Sequence, residues 1–352
     1  MNLFNKKTNE LKPYVVSERS FNDDEDWLIL DWNESTYRID KPLKESLIDF
    51  INKGQLNLYG DVDCELLRKK IHDILRIDEF SVTFFNGSDS ALNICFESIL
   101  ETGDEVLTIE PEYSQVDTFI KMKGGVKNSF LLNSIDKPSI DDLNRSLKGK
   151  KIFYFSNPNN PIGYLFSKNE IEDMLITNPS VMFFVDEAYY EFSGSNVIHL
   201  ISKYSNLIIF RTFSKAFGLA GIRLGYVVSA KDNISMINKV RNGKEVSTIA
   251  QLAAITAFDN YSLLEDRIKE VISTRNWFVD ELSKLVNFEF FPSAANFLLI
   301  KHNNYEEVIS KLRDSKILVR DRSSMHLLKN CFRITIGKKL EMERVLAVLK
   351  LF

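Results

Sequence analysis

Lys215 stands just past an apolar run, residues 207–210 (LIIF), inside the string Arg211-Thr212-Phe213-Ser214-Lys215. A lysine at a strand end, with hydroxyls one and three residues before it, can join a carbonyl compound as an imine. It does so when its ammonium is partly desolvated or near another cation. The Ser-Lys pair alone says little, since it recurs at 167–168, 202–203, 283–284, 310–311 and 315–316. Position is what singles out Lys215. A second run, 181–185 (VMFFV), leads into Asp186-Glu187-Ala188-Tyr189-Tyr190. A carboxylate there is costly unless a cation or a wet cleft compensates it, and a structural salt bridge is an equally good reading in isolation. Residues 151–155 (KIFYF) lead into Ser156-Asn157-Pro158-Asn159-Asn160-Pro161-Ile162-Gly163, a stiff loop that presents side-chain amides. Residues 82–85 (VTFF) lead into Asn86-Gly87-Ser88-Asp89-Ser90 and then a helical pattern. That places N–H groups and hydroxyls at a helix start, which suits a phosphate but also describes an ordinary capped helix.

Taken together, one edge offers an anion site, an amide loop, a carboxylate, a tyrosine and a lysine. The set fits pyridoxal 5′-phosphate: donors for the phosphate, Lys215 for the aldehyde, and a carboxylate that keeps the pyridine nitrogen protonated. Lys215, once displaced by a substrate amine, is placed to carry a proton as base and acid. Other chemistries lack support. The four histidines (His72, His199, His302, His326) and three cysteines (Cys64, Cys95, Cys331) show no metal-ligand spacing, so no metal is expected. Gly218, Gly221 and Gly225 fall within eight residues although glycine numbers only 14, so the backbone there takes special conformations. They form neither GxGxxG nor a Walker loop, and no GxSxG elbow occurs.

The elements that must hold these residues alternate. Runs at 82–85, 105–109, 151–155, 181–185 and 207–210 read as strands buried on both faces, and 91–100, 113–123 and 168–175 as helices between them. Such alternation predicts an α/β fold with a mostly parallel sheet, and ligands at the carboxyl ends of its strands. Beyond Gly225 come long helical patterns, 233–240 and 248 to about 285. Strand-like pieces follow at 288–291, 296–300, 317–319 and 332–336 around a helix at 305–313, as in a smaller α+β unit. The N-terminal 44 residues are irregular and are expected to pack on the rest.

At 352 residues, 44% apolar and 27% charged, the chain has the make-up of a globular protein of two to three domains. A net charge of −4 gives no reason to expect nucleic acid. No apolar run reaches 18 residues, so no membrane helix is expected, and the start MNLFNKKTNELKP lacks the apolar core of a signal peptide. An odd number of scattered cysteines suits a reducing cytoplasm.

The residues now on the page resemble the fold-type I pyridoxal-phosphate aminotransferases of classes I and II, and within them the histidinol-phosphate aminotransferase branch. SNPNNPIG (156–163), VDEAY (185–189) and RTFSKAFGLAGIRLGY (211–226) carry the likeness, in order and at that family's spacing. LKPYV (11–15), Trp32-Asn33-Glu34, PSAANFLLI (292–300), ILVRD (317–321) and FRITIG (332–337) resemble the branch. The chain departs from the family's usual residues at Gly60, Ser88, Ser90 and Ile162, among others. The resemblance implies a large cofactor-binding domain, 45–262, with a seven-stranded-type sheet, and a small domain from 1–44 and 263–352. Catalysis would fall to Lys215, Asp186 and Tyr189. Ser88, Asp89, Thr212, Ser214 and Arg223 would cup the cofactor phosphate, Tyr113 would stack on its ring, and Asn160 and Tyr189 would hold its hydroxyl. Tyr59 would reach the neighbouring subunit of a homodimer. Arg333, Arg320 and Asn33 would bind substrate. The implied reaction moves an amino group between glutamate/2-oxoglutarate and a small phosphorylated carbonyl compound, histidinol phosphate/imidazole-acetol phosphate first. The alternatives are a decarboxylase of a phosphorylated threonine or serine, and a catalytically idle regulatory relative.

Overall fold

The five apolar runs lie in one sheet of a computed structural model that describes residues 5–11 and 26–352. Residues 12–15 of the LKPYV motif fall outside that range. The strands are β1 (Val82–Phe85), β2 (Glu105–Glu110), β3 (Val126–Leu131), β4 (Ile152–Ser156), β5 (Met182–Asp186), β6 (Leu207–Thr212) and β7 (Gly225–Ser229), in the order β1-β7-β6-β5-β4-β2-β3. Pairings β2/β3, β2/β4, β4/β5 and β5/β6 are parallel, whereas β7 runs antiparallel to both β1 and β6.

Two strands had no counterpart among the runs, for different reasons. β3 (VKNSFL) is an edge strand paired only to β2, with its side chains half in solvent, so polar residues are tolerated. β7 (GYVVS) is wholly buried but follows directly on the glycine cluster. It is reached by a return loop, residues 213–224, with a single 3-10 turn at Ala220–Ile222 and no α-helix, and this loop carries Lys215. The loop starts with the Phe213 N–H donating to the Leu224 carbonyl at 3.0 Å.

Alternation along β4 and β5 feeds two cores. Phe153, Phe155, Phe183 and Val185 pack with helix Lys168–Thr177, while Tyr154 and Phe184 join helix Ser88–Ile99 through Phe96. Each such phenylalanine contributes about 1.5–3 kcal/mol by leaving water. The sheet is thereby clamped from both faces, and its carboxyl edge stays open for chemistry.

Beyond the sheet, the helical pattern at 248–285 proves to be two helices, Thr248–Asp259 and Tyr261–Leu282, broken at Asn260. The Asn260 side chain donates to the Thr256 carbonyl at 2.9 Å, satisfying an acceptor at the helix end. The smaller unit is an antiparallel sheet of β8 (Glu289–Phe291), β9 (Phe297–Lys301), β10 (Arg320–Asp321) and β11 (Cys331–Thr335), ordered β10-β11-β9-β8. Residues 28–30 are tied to this unit. Leu28–Ile29 pairs in parallel with Ile317–Leu318, and the Leu30 carbonyl accepts from the N–H of Thr335 at 2.9 Å.

Candidate active site

Asp186 ends β5 and is 7% exposed. Its Oδ2 accepts from the Tyr154 hydroxyl at 3.0 Å and its Oδ1 from the Ala188 N–H at 3.0 Å. Burial pushes the carboxyl up to about 6, against the opposing pull of the Tyr154 hydrogen bond and of the Lys215 charge. Lys215 donates to the Trp32 carbonyl at 2.8 Å, and its ammonium lies 5.9 Å from the centre of the Tyr189 ring. Burial pushes this lysine down to about 8, with the positive charge of Arg333 adding to the shift. The acid ends β5 and the amine lies three residues past the end of the neighbouring β6, both partly desolvated.

The helix after β1 begins at Ser88, and its N-cap is Gly87, at φ +85°, with no side chain capping it. The first N–H groups thus look outward from a helix start. A Cβ on Gly87 would lie 2.6 Å from the Arg223 guanidinium, and one on Gly225 would lie 2.5 Å from the Ser88 nitrogen. Both glycines let a cation and two chain segments close around one spot. Arg223 sits 3.9 Å from Asp89, whose other oxygen accepts from the Tyr113 hydroxyl at 3.0 Å. From the end of β6, Thr212 Oγ1 accepts from the Ser214 N–H at 3.1 Å. The sequence-derived residues Ser88, Asp89, Tyr113, Thr212, Ser214 and Arg223 thus flank this cradle, whose donors suit a phosphate.

On the opposite side, the smaller sheet reaches the same edge. Arg333 of β11 is 3% exposed; it donates to Asn160 Oδ1 and, at 2.9 Å, to the Asp31 carbonyl. Arg320 of β10 is its direct cross-strand partner. Asn33, wholly buried at φ +57°, donates through Nδ2 to the Tyr189 hydroxyl at 2.9 Å. Tyr189 in turn meets Phe297 edge-on at 5.2 Å between centroids. Tyr59 is elsewhere: it is 79% exposed, with the Lys244 ammonium 4.5 Å from its ring centre.

Several supporting residues escaped the sequence reading. Tyr154 interrupts an otherwise apolar strand, which was the only sign of its bond to Asp186. Glu112 is 3% exposed and accepts from the N–H of Ser156 (2.9 Å), the Ser156 hydroxyl and the Tyr113 N–H (2.9 Å). It ties the end of β2 to the start of the asparagine loop. Burial pushes it up to about 8, even though these donors favour its charged form. Glu187 and Arg211 form an ion pair, 0% and 1% exposed, that links the chain after β5 to β6. Among the described residues no His/Cys/Asp/Glu group could hold a metal, and no helix is long and apolar enough to cross a membrane.

The family model "Aminotransferase class I and II" matches residues 25–349, and the chain belongs to this family of fold-type I, pyridoxal-phosphate-dependent aminotransferases. Among its relatives, a dihydroxyacetone phosphate transaminase of Campylobacter jejuni is 36% identical, covering 97% of this chain and 95% of that protein. A histidinol-phosphate aminotransferase of Ruminiclostridium cellulolyticum is 34% identical over 92% of this chain and 91% of its own length. The fold matches a crystal structure of histidinol-phosphate aminotransferase from Sinorhizobium meliloti in complex with pyridoxal 5′-phosphate. That match has a TM-score of 0.88 at 22% identity, covering 100% of this chain and 99% of that one.

Proposed function

We propose that this enzyme transfers an amino group between glutamate/2-oxoglutarate and a small ketone that carries a phosphate ester. One observation supports the anionic substrate above others: Arg320 and Arg333 are direct cross-strand partners. Like charges so placed repel, and a carboxylate or phosphate bound between them reverses the sign. The two relatives described above are named for histidinol phosphate, the amine of imidazole-acetol phosphate, and for dihydroxyacetone phosphate. Both ketones carry the phosphate ester on the carbon next to the carbonyl, so we take that shared fragment as the recognised one.

Pyridoxal phosphate, when bound, supplies an electron sink for the bond that breaks. The cradle of Ser88, Asp89, Thr212, Ser214 and Arg223 would hold its phosphate, with Tyr113 against its ring. Asp186 would keep its ring nitrogen protonated, aided by Tyr154, whose bond stabilises the carboxylate form. Asn160 and Tyr189, oriented by Arg333 and Asn33, would hold its ring hydroxyl. Lys215 would anchor it covalently. A lysine with a pKa of about 8 has a large neutral fraction near that pH, so its Nζ can both accept and return a proton. Arg333 would take the carboxylate of glutamate, Arg320 would help with the phosphate, and Asn33 would line the substrate side.

An exposed apolar belt, including Ile51, Leu56, Leu58 and Tyr59, supports a second copy as the partner, with Tyr59 reaching its cofactor site. Three free, buried cysteines accord with a cytoplasmic enzyme. The large domain would span 45–262 and the small domain 1–44 with 263–352.

The test is a panel with glutamate as donor, comprising imidazole-acetol phosphate, dihydroxyacetone phosphate and the dephosphorylated form of each, scored by 2-oxoglutarate release. We expect kcat/KM for at least one phosphorylated ketone to exceed its dephosphorylated form by roughly 100-fold, the worth of a charge-assisted pair. Equal rates with and without the phosphate would overturn the reading. So would carbon dioxide release from phosphothreonine without 2-oxoglutarate formation.

A further inference from the structure

A third arginine shares the face that presents Arg320 and Arg333. The β10/β11 ladder pairs Arg320 with Arg333 and Asp321 with Phe332, and the Arg322 N–H extends it by donating to the Cys331 carbonyl at 3.0 Å. Side chains alternate along a strand, so Arg322 lies on the side of Arg320 and Arg333, with the exposed Asp321 on the other. Arg322 is half-buried and its Nε is shielded from solvent. An arginine placed only for solubility would extend its head into water.

The turn that follows reaches back to the large sheet. His326 Nε2 lies 2.8 Å from the carbonyl of Leu132, one residue past the carboxyl end of β3, and the Met325 N–H donates to the Arg322 carbonyl at 3.0 Å. The chain after Arg322 is therefore held against the carboxyl end of β3, the edge strand of the larger sheet. The Arg322 charge is felt at Tyr189. Burial raises the pKa of the Tyr189 hydroxyl, while Arg333 and Arg322 both pull it down.

We infer that Arg322 supplies a further guanidinium to the substrate's phosphate and sets the preference for phosphorylated over unphosphorylated ketones. The inference rests on the function proposed above. Arg333 donates to Asn160 and to the Asp31 carbonyl, which fixes the plane of its guanidinium as a planar carboxylate requires. A tetrahedral dianion has more acceptor sites than one guanidinium can fill, and Arg320 with Arg322 offers two forks from one strand.

The test uses the holoenzyme with Arg322→Gln and Arg322→Lys, glutamate as donor, and the better phosphorylated ketone beside its dephosphorylated form. For Arg322→Gln, kcat/KM with the phosphorylated ketone should fall roughly 10- to 100-fold, the range of one charge-assisted hydrogen bond. The dephosphorylated ketone and the KM for glutamate should be unchanged, and inorganic phosphate should lose potency as a competitive inhibitor. Arg322→Lys should recover part of the loss. Retention of the wild-type preference by Arg322→Gln, or an equal fall for both ketones, would overturn the inference while leaving the phosphoketone reading intact. A wild-type enzyme indifferent to the phosphate would overturn both.

Discussion

Replacing Glu187 by glutamine removes one charge from a pair that the fold has taken fully out of water. Glu187 Oε2 accepts from Arg211 Nε at 2.9 Å and Nη2 at 2.7 Å, and its Oε1 accepts from the Val197 N–H at 2.7 Å. The Arg211 guanidinium also lies 3.7 Å from the centre of the Tyr190 ring. Glutamine matches the shape but leaves Arg211 as a buried charge without its counterion, a change that costs about 3–5 kcal/mol. For 352 residues the unfolding entropy is roughly 0.7 kcal/mol/K, so Tm should fall by about 5 °C. The loss should also be felt at the site, because Glu187 follows Asp186 directly and Arg211 precedes Lys215 by four residues. Cofactor affinity should weaken along with stability. The assay is urea denaturation of wild type, Glu187→Gln, Arg211→Met and the double variant Glu187→Met/Arg211→Met. The double variant should be more stable than either single, since no buried charge is left unpaired. A single-variant loss below about 1 kcal/mol, or a double variant as unstable as the two losses added, would refute the reasoning.

Asp186→Asn is nearly isosteric and keeps an acceptor for the Ala188 N–H, so secondary structure should be retained while kcat/KM falls about 10²- to 10⁴-fold, as expected from losing about 3–5 kcal/mol of buried charge pairing. A fall of less than tenfold in steady-state kinetics would show that the carboxylate is not the group facing the reacting ring. Glu112 carries a proton in the folded state up to about pH 8 but sheds it near 4.5 when unfolded. Its contribution to stability is therefore present at low pH and declines as pH rises from 4.5 to 8, with a slope of at most one proton. Denaturation midpoints across that window should show the decline in wild type and a flatter profile in Glu112→Gln.

Residue order alone determined the class of fold and the chemistry. The runs at 82–85, 105–109, 151–155, 181–185 and 207–210 are strands, because buried strands need continuous apolar surface. Asp186 and the asparagine loop follow such runs directly and Lys215 stands five residues past one, so their place at the sheet's ligand edge was legible. Helix Thr248–Asp259 and its successor were legible as helix but not as two, because Asn260 breaks them through a backbone angle that apolar spacing does not record. β3 was hidden because an edge strand needs little apolar surface, and β7 because antiparallel return through a loop leaves no intervening α-helix to announce it. Only the tertiary structure could decide partners distant in the chain. Asn33 with Tyr189, Asn160 with Arg333, and Arg320 opposite Arg333 are meetings of segments that share no periodicity. Burial decided the rest: the same lysine and carboxylates titrate near their ordinary values in water, and it is removal from solvent that brings Lys215 and Asp186 toward neutral pH.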